Sequence, residues 1–428
     1  LTLRASAGLA FLLAFTLGLG SACSRTPALL KKDDTVPHRT QEVAPAPAKP
    51  DPAKAGVLPW SYTALDFRDD QKGWVAALGG TYGAAGLAGA ESGLWRTADG
   101  GKTWSAAVAP KLTVSRLVFT DETHGLAMGT TYACQTKGGN CQLYIAATTD
   151  SAATWAARWS ADLPGGIGDN PPLLKMLNAN EGYALYVGAS ERFLLLTFDG
   201  GKTWNPAGEL GEGYLPDGVS FVDRQRGWAI GRACQTNGAG DACKYAVFAT
   251  TDSGTTWNRV FDLPAGRRHR AGTIDFVDAN RGWLYPTADT AFCSMGGCAG
   301  PLYRTDDGGK TWTDLKWKET KHTDQGMVGF PRGVTFVGPN RGWMLVEAGA
   351  GSGVGGIGVT LDGGVTWDRY APAGVRTFSL LSPTTDQVAW AVGGPVGDPT
   401  TLGLMRTTDG AKTWTPVAPP FPVAKPAN

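Results

Sequence analysis

The chain has 428 residues, enough for a large core, and its 39 Lys+Arg against 38 Asp+Glu leave a formal net charge of +1. That balance excludes a globally basic nucleic-acid binder, though not a local patch. Only 4 histidines argue against histidine-rich metal chemistry, while 60 Gly and 27 Pro suit many short strands joined by tight turns.

In chain order, the first segment is LTLRASAGLAFLLAFTLGLGSAC, with one Arg, an apolar run from Ala7 to about Gly20, and small residues up to Cys23. This is the shape of an export signal over residues 1–22, and the run is too short for a convincing permanent span. It resembles a bacterial lipoprotein signal, in which Cys23 would become the lipidated first residue of the mature chain. Gly20 holds the place where Leu is commonest in such signals, and an ordinary secretory signal cut near Ala22 is the rival. Ser24 resembles the pattern that sorts lipoproteins to an outer membrane, where the cell has two. Residues 23–56 include VPHRTQEVAPAPAKPDPAKAG, rich in Pro, Ala and charge without periodicity, and read as an extended tether. The folded region is expected over 57–420, with 421–428 as a flexible tail.

Within that region TADGGKTW recurs. Seven copies carry Asp99, Asp150, Asp199, Asp252, Asp307, Asp362 and Asp409, at successive spacings of 51, 49, 53, 55, 55 and 47 residues. In phase with them, about 25–30 residues upstream, runs a second pattern: FRDDQKGWVAA, FVDRQRGWAIG, FVDANRGWLYP and FVGPNRGWMLV. Its aromatic positions are Trp74, Trp228, Trp283 and Trp343, with Trp390 in a less regular setting; Leu126 and Tyr183 take the place in the second and third units. Each unit reads as four short strands, A to D. Strand A ends at the Phe, Gly–Trp opens B, and the Asp turn joins C to D. Four such strands cannot bury both faces alone, but seven sheets stacked radially can. The fold class is therefore all-β, a seven-bladed β-propeller of four-stranded antiparallel blades.

The box S/T-x-D-x-G-x-T-W resembles the Asp-box, or bacterial neuraminidase repeat. Coupled to FxDxxxGW it most resembles the photosynthesis system II assembly factor-like propellers. That resemblance covers the whole mature domain and implies fold far more than function, since sialidases, xyloglucanases, sortilin-like receptors and assembly factors share the box. Each Asp is read as a structural turn-former that accepts hydrogen bonds from its own turn. Seven equivalent copies argue against catalysis. Ala152 and Ala411 at the fifth position, and Ser151 and Ser253 at the fourth, replace glycines where φ > 0 is expected. The resemblance puts this turn on the face opposite the usual binding surface, which is built from B–C and D–A loops.

Six further cysteines fall in B–C loops of blades 2, 4 and 5, as Cys134/Cys141, Cys234/Cys243 and Cys293/Cys298. In an exported chain these read as three local disulfides. Metal binding is the rival, against which stand irregular spacings and the absence of a nearby His. Basic residues gather in AGRRHRAG, with Arg267, Arg268, His269 and Arg270, and in KWKETKHTDQG, with Lys316, Lys318, Lys321 and His322. Both read as D–A loops of adjacent blades that form one basic patch, joined by Arg232 and diluted by Glu319 and Asp324. Such a rim suits an acidic protein segment or an anionic glycan or lipid. An ordinary solvated surface is the competing reading.

Sialidase chemistry needs an arginine triad, a Tyr nucleophile with a Glu partner, and an early Arg-Ile-Pro-like segment, which the sequence lacks. Glycosidases of other classes need two carboxylates across a cleft. Glu91, Asp241, Glu347 and Asp398 are candidates on the loop face, scattered and without a supporting motif. No serine triad, P-loop, dinucleotide fingerprint or zinc signature is present, and no cofactor or metal is expected. The sequence thus points to a non-catalytic envelope module, held to the membrane by a lipid only, that binds a membrane or secreted protein partner. A glycan-binding protein or glycoside hydrolase is the alternative.

Overall fold

A computed structural model describes residues 57–421, apart from 84–85, 136–139, 165, 168–171, 189–190, 235–242, 265–268, 289–299, 322–329, 348–354, 373, 376 and 395–401. Cys23 and the signal and tether segments lie outside the described residues, as do 422–428. The fold is the expected seven-bladed propeller. Its blades span 57–107, 113–162, 173–206, 215–262, 269–314, 330–370 and 377–417, each a four-stranded antiparallel sheet in the order A-B-C-D. Strand A is innermost. Blade 6 gains a fifth strand, Lys318–Lys321, which runs parallel to its strand D, Thr366–Tyr370.

The repeated sequence pattern is a device for joining blades. At four seams the Trp that opens strand B lies flat on the Phe that ends strand A of the next blade. Trp74 stacks on Phe119 at 4.0 Å, Trp228 on Phe276 at 3.7 Å, Trp283 on Phe336 at 3.5 Å, and Trp390 on Phe67 at 3.8 Å, all within 8° of parallel. The indole N–H then reaches a carbonyl of that same next blade, as in Trp228 to Gly308 and Trp283 to Gly363, both at 2.8 Å. The residue just before the Phe supplies a second latch. Asp66 Oδ2 accepts the Phe119 N–H at 2.6 Å, Ser220 Oγ the Phe276 N–H at 3.0 Å, and Asp275 Oδ2 the Phe336 N–H at 2.6 Å. These amides lie on the inner edge of strand A, where no sheet partner exists, so a side chain from the neighbouring blade satisfies them.

The core is accordingly divided into seven apolar layers, one at each seam between neighbouring blades. Ring closure follows the same rule. Each blade is built from one continuous stretch of chain, so no N-terminal strand is lent to blade 7. The segment Val57–Phe67 is strand A of blade 1 itself. Blade 7 meets blade 1 through the Trp390–Phe67 stack, a Trp390 indole bond to Asp69 O at 3.2 Å and an Arg406 Nη1 bond to Asp70 O at 2.7 Å. Phe421, expected in the flexible tail, belongs to this seam: it is 9% exposed and packs on Trp60, Tyr62 and Trp95. Burial of its aromatic ring extends the fold past the expected boundary at 420.

Candidate binding face

Antiparallel alternation puts the A–B and C–D turns on one face and the B–C and D–A loops on the other. The Asp turns occupy the first. Around Asp99, Thr97 Oγ1 donates to Oδ1 at 2.9 Å and accepts the Gly101 N–H at 2.8 Å. Asp99 Oδ1 also accepts the Thr103 N–H at 2.9 Å, and Oδ2 accepts the Thr103 hydroxyl at 2.6 Å. The same four bonds recur at Asp150, Asp199 and Asp252. They recur again at Asp307, Asp362 and Asp409. The threonine hydroxyl first, and then its N–H, hold Asp99, Asp150, Asp252 and Asp307 at a pKa of about 2. At Asp199, Asp362 and Asp409 partial burial works the other way, yet the same bonds keep the carboxyl below its ordinary range. A carboxylate with both oxygens engaged and so low a basicity is a poor proton acceptor. These turns are frame, not chemistry. The non-glycine residues in them do take the left-handed conformation, with φ of 59° at Ser151, 61° at Ala152, 63° at Ser253 and 73° at Ala411.

The opposite face carries the stapled loops. Cys134 and Cys141 are bonded with Cα atoms 4.4 Å apart, beside a short 3-10 turn, Tyr132–Gln135. The Tyr132 hydroxyl accepts the Ser92 N–H at 3.0 Å and ties this loop to blade 1. Cys234 and Cys243 are bonded directly across the ends of strands B and C of blade 4, Gly227–Cys234 and Cys243–Thr250. Two of the three expected disulfides are therefore present; Cys293 and Cys298 lie outside the described residues.

Beneath the second staple is a charged cluster at the seam of blades 3 and 4. Arg192 opens strand C of blade 3, Arg192–Thr197; Asp217 lies in strand A of blade 4, Leu215–Phe221; Arg232 and Tyr245 are cross-strand partners in blade 4. Asp217 is the extra residue of a β-bulge, because Pro216 pairs with Gly231 and Gly218 with Ile230. A bulge re-aims one side chain, and here it turns a carboxylate into the seam. Arg192 Nη2 stands 3.3 Å from Asp217 Oδ1 and Arg232 Nε 3.2 Å from Oδ2. The Asp217 carboxylate is fully buried, the Arg192 side chain 9% exposed and that of Arg232 26% exposed. Burial raises the Asp217 carboxyl above its ordinary value, although Arg232 and Arg192 pull it down. Burial also depresses Arg192; Asp217 opposes this and the like charge of Arg232 adds to it. Tyr245 is pushed up to about 12, mainly by burial, and is hydrogen-bonded to Arg232.

Of the basic residues expected to converge, only Arg232 has its side chain described within this cluster. Arg267, Arg268 and His322 lie outside the described residues, and the side chains of His269, Arg270 and Lys321 are likewise not described. The backbone nonetheless separates the two groups. His269 and Arg270 belong to the innermost strand of blade 5, His269–Phe276, not to a loop. Lys318 and Lys321 belong to the fifth strand of blade 6, four strand spacings or about 19 Å out from that blade's own innermost strand. The segment is not a free D–A loop because Lys318 N–H bonds Val365 O at 3.0 Å and Glu319 pairs at 2.6 Å with Arg369, whose side chain is 3% exposed. Lys316 is 78% exposed and pairs with Asp314. Among the candidate carboxylates, Glu91 is exposed and Glu347 ends strand Gly342–Glu347, while Asp241 and Asp398 lie outside the described residues. The residues that sequence reading missed are Arg192, Asp217 and Tyr245. The one available signal was LPDGVSF, where Pro216-Asp217-Gly218 breaks the alternation of strand A.

No family model matches the chain. Over 136 residues it is 29% identical to the photosystem II assembly lipoprotein Ycf48 of Prochlorococcus marinus, a match covering 24% of this chain and 37% of that protein. Over 194 residues it is 28% identical to a xyloglucanase of a Paenibacillus species, covering 40% of this chain and 18% of that one. The matched stretches thus span well under two thirds of either relative. Among solved structures the xyloglucanase of Xanthomonas campestris aligns over 84% of this chain and 68% of its own, with 12% identity and a TM-score of 0.38, a similarity of fold alone.

Proposed function

We propose that the chain is a binding propeller of the cell envelope, exported through residues 1–22, anchored at Cys23, and holding an extended carbohydrate chain on its loop face. The observation that carries the reading is the division of labour between the faces. All seven Asp carboxylates are spent on their own turns. The loop face instead has two disulfide-stapled loops and a buried Arg–Asp–Arg cluster at the mouth of a seam. Stiffened loops lose little freedom on binding, and planar guanidinium groups held by packing suit the fixed hydroxyl and carboxyl geometry of sugars. The longer of the two sequence matches, to a xyloglucanase, favours carbohydrate as the ligand class. Affinity electrophoresis of the disulfide-intact protein through gels containing xyloglucan, cellulose derivatives or polygalacturonate tests it. Retardation in at least one polysaccharide is expected; unretarded migration in all of them overturns it. Reducing-end assays on the same samples report whether any retained glycan is also cleaved.

The match to Ycf48 favours a second reading, in which the loop face takes an acidic segment of an envelope protein and assists its assembly. Affinity capture from the native envelope tests that one, comparing the wild type with a variant neutralised at Arg267, Arg268 and Arg270. Loss of a recovered protein in the variant supports it, and unchanged recovery removes those arginines from the interface.

A further inference from the structure

Resting on the carbohydrate reading, we propose that Arg192, Asp217 and Arg232 form an anion subsite, that it receives the carboxylate of a uronic acid within the bound glycan, and that the Cys234–Cys243 disulfide holds its geometry. The charge count comes first. Two guanidinium groups share one carboxylate, 3.3 Å and 3.2 Å away. With two guanidinium groups to one carboxylate, the cluster itself carries one positive charge in excess. Cost comes second. Burying an ion pair is rarely the most stable solution for a core, and here the strand A bulge carries a carboxylate into the seam. Asp217 lies wholly under the surface, and what reaches the loop face is Arg232 with about a quarter of its side chain exposed. Asp217 therefore acts as a positioner, with its Oδ2 3.2 Å from Arg232 Nε, and the Tyr245 hydroxyl is hydrogen-bonded to the same Arg232. A carboxylate arriving on such a group makes a charge-assisted, directional bond.

The disulfide enters through register. Cys234 and Cys243 pair across the strands, and Arg232 and Tyr245 pair two positions below in the same ladder. Strand A reaches as far as Arg232 through Leu215, and the Leu263 N–H bonds Tyr245 O at 3.0 Å; among the described residues no strand braces the hairpin beyond these, at Cys234 and Cys243. The covalent bond at the tip thus stands in for the missing neighbour. It keeps Arg232 opposite Tyr245 and both above Asp217.

Titration calorimetry of the full chain with polygalacturonate, its fully methyl-esterified form and xyloglucan decides the matter. Polygalacturonate is expected to bind at least about 10-fold more tightly than the ester, which has the same backbone without the charge. Arg232→Gln is expected to lose that preference, Arg232→Lys to retain part of it, and Lys102→Gln, on the opposite face, to retain all of it. Reduction, or Cys234→Ser with Cys243→Ser, is expected to weaken polygalacturonate while leaving any xyloglucan binding unchanged. Circular dichroism and melting temperature confirm that each variant is folded. Equal binding of acid and ester, or an Arg232→Gln variant with unaltered preference, refutes the anion subsite and leaves the carbohydrate reading standing. Failure of all three polysaccharides to bind removes both.

Discussion

Replacing Trp283 with Leu tests whether the Trp–Phe stack holds neighbouring blades together. Trp283 is fully buried, lies 3.5 Å from Phe336 at 4° from parallel, and donates to Gly363 O at 2.8 Å. Leucine is a fair probe because Leu126 fills the same place in blade 2, so the backbone tolerates it. Three losses add. The aromatic pair itself is worth about 0.5–1.5 kcal/mol beyond area. The Gly363 carbonyl is left buried without its donor, about 1–2 kcal/mol. The smaller side chain leaves a partial void, about 1 kcal/mol or more. The sum is about 3–4 kcal/mol of unfolding free energy, less than the upper range for Trp→Ala because leucine refills part of the space. Trp283→Phe keeps the stack and drops only the indole bond, so about 1–2 kcal/mol is expected. Trp257→Leu is the control: that indole is 9% exposed, meets Phe221 edge-on at 5.9 Å, and its Nε1 is buried without a hydrogen-bond partner. It should cost less than Trp283→Leu. Urea unfolding followed by circular dichroism gives the free energies. A Trp283→Leu cost under about 1 kcal/mol, or one no larger than the Trp257→Leu cost, would refute the stack as the element that holds the seam.

Asp66 is pushed up to about 7 by burial, against the Phe119 N–H and Arg68, which pull it down. Its neutral form therefore favours the fold, and stability should fall as pH rises from about 4 through 7, by about 2 kcal/mol once partial exposure is allowed for. Asp66→Asn, which keeps the acceptor for Phe119, should flatten that limb in denaturant titrations at pH 5 and 8; an unchanged slope counts against Asp66 as its source. The Asp turns act with the opposite sign. Their depressed pKa values, about 2 at Asp99, Asp150, Asp252 and Asp307, stabilise the fold above pH 4 and release that stability as pH falls toward 2. Acid unfolding should lie in that window, and a fold intact at pH 1.5 by near-ultraviolet dichroism contradicts it. Ala411→Gly removes the left-handed strain at φ 73°, about 1–2 kcal/mol, and costs part of it back in unfolded-chain entropy. A net gain of about 0.5 kcal/mol is expected, and a lower melting temperature argues otherwise. Cys23→Ser should move the protein from the membrane to the soluble fraction, and continued retention excludes the lipid anchor.

Blade number, strand order and the seam aromatics were legible because they depend on local chemistry repeated seven times. The Asp turn satisfies its own bonds within eight residues, and the Gly–Trp and Phe positions follow at fixed offsets. The joining role of the pattern was not legible. Reading FVDANRGW alone shows a turn and a core Trp, but not that Trp283 leaves its own blade to meet Phe336 and Gly363. Residues 316–321 were misread for a related reason. Their charge suggests an exposed loop, while the strand that pairs with Lys318–Lys321, Thr366–Tyr370, lies nearly fifty positions away. The Arg192–Asp217–Arg232 cluster was hidden because its members come from two blades and because a bulge, which propensity does not reveal, aims the Asp inward.

That bulge is not peculiar to blade 4. Strand A breaks register by one residue near its loop-face end in six blades: at Thr63, Ser115, Asp217, Arg332 and Ser379, and at Arg270–Ala271 in blade 5. The backbone feature repeats while the side chain does not. This is the reverse of the Asp turns, where both repeat. Repeated side chains on a repeated backbone are what a ring needs to close. A repeated backbone carrying a different residue in each blade is what an asymmetric ligand needs, since each blade offers one extra side chain at the mouth of its seam without disturbing the sheet. Blade 4 places an acid there and surrounds it with two arginines. These positions are where one blade can be told from the next, and exchanging Asp217 for the serine of blade 2 should lower both the affinity for an acidic glycan and the melting temperature, since it leaves Arg192 buried without its carboxylate.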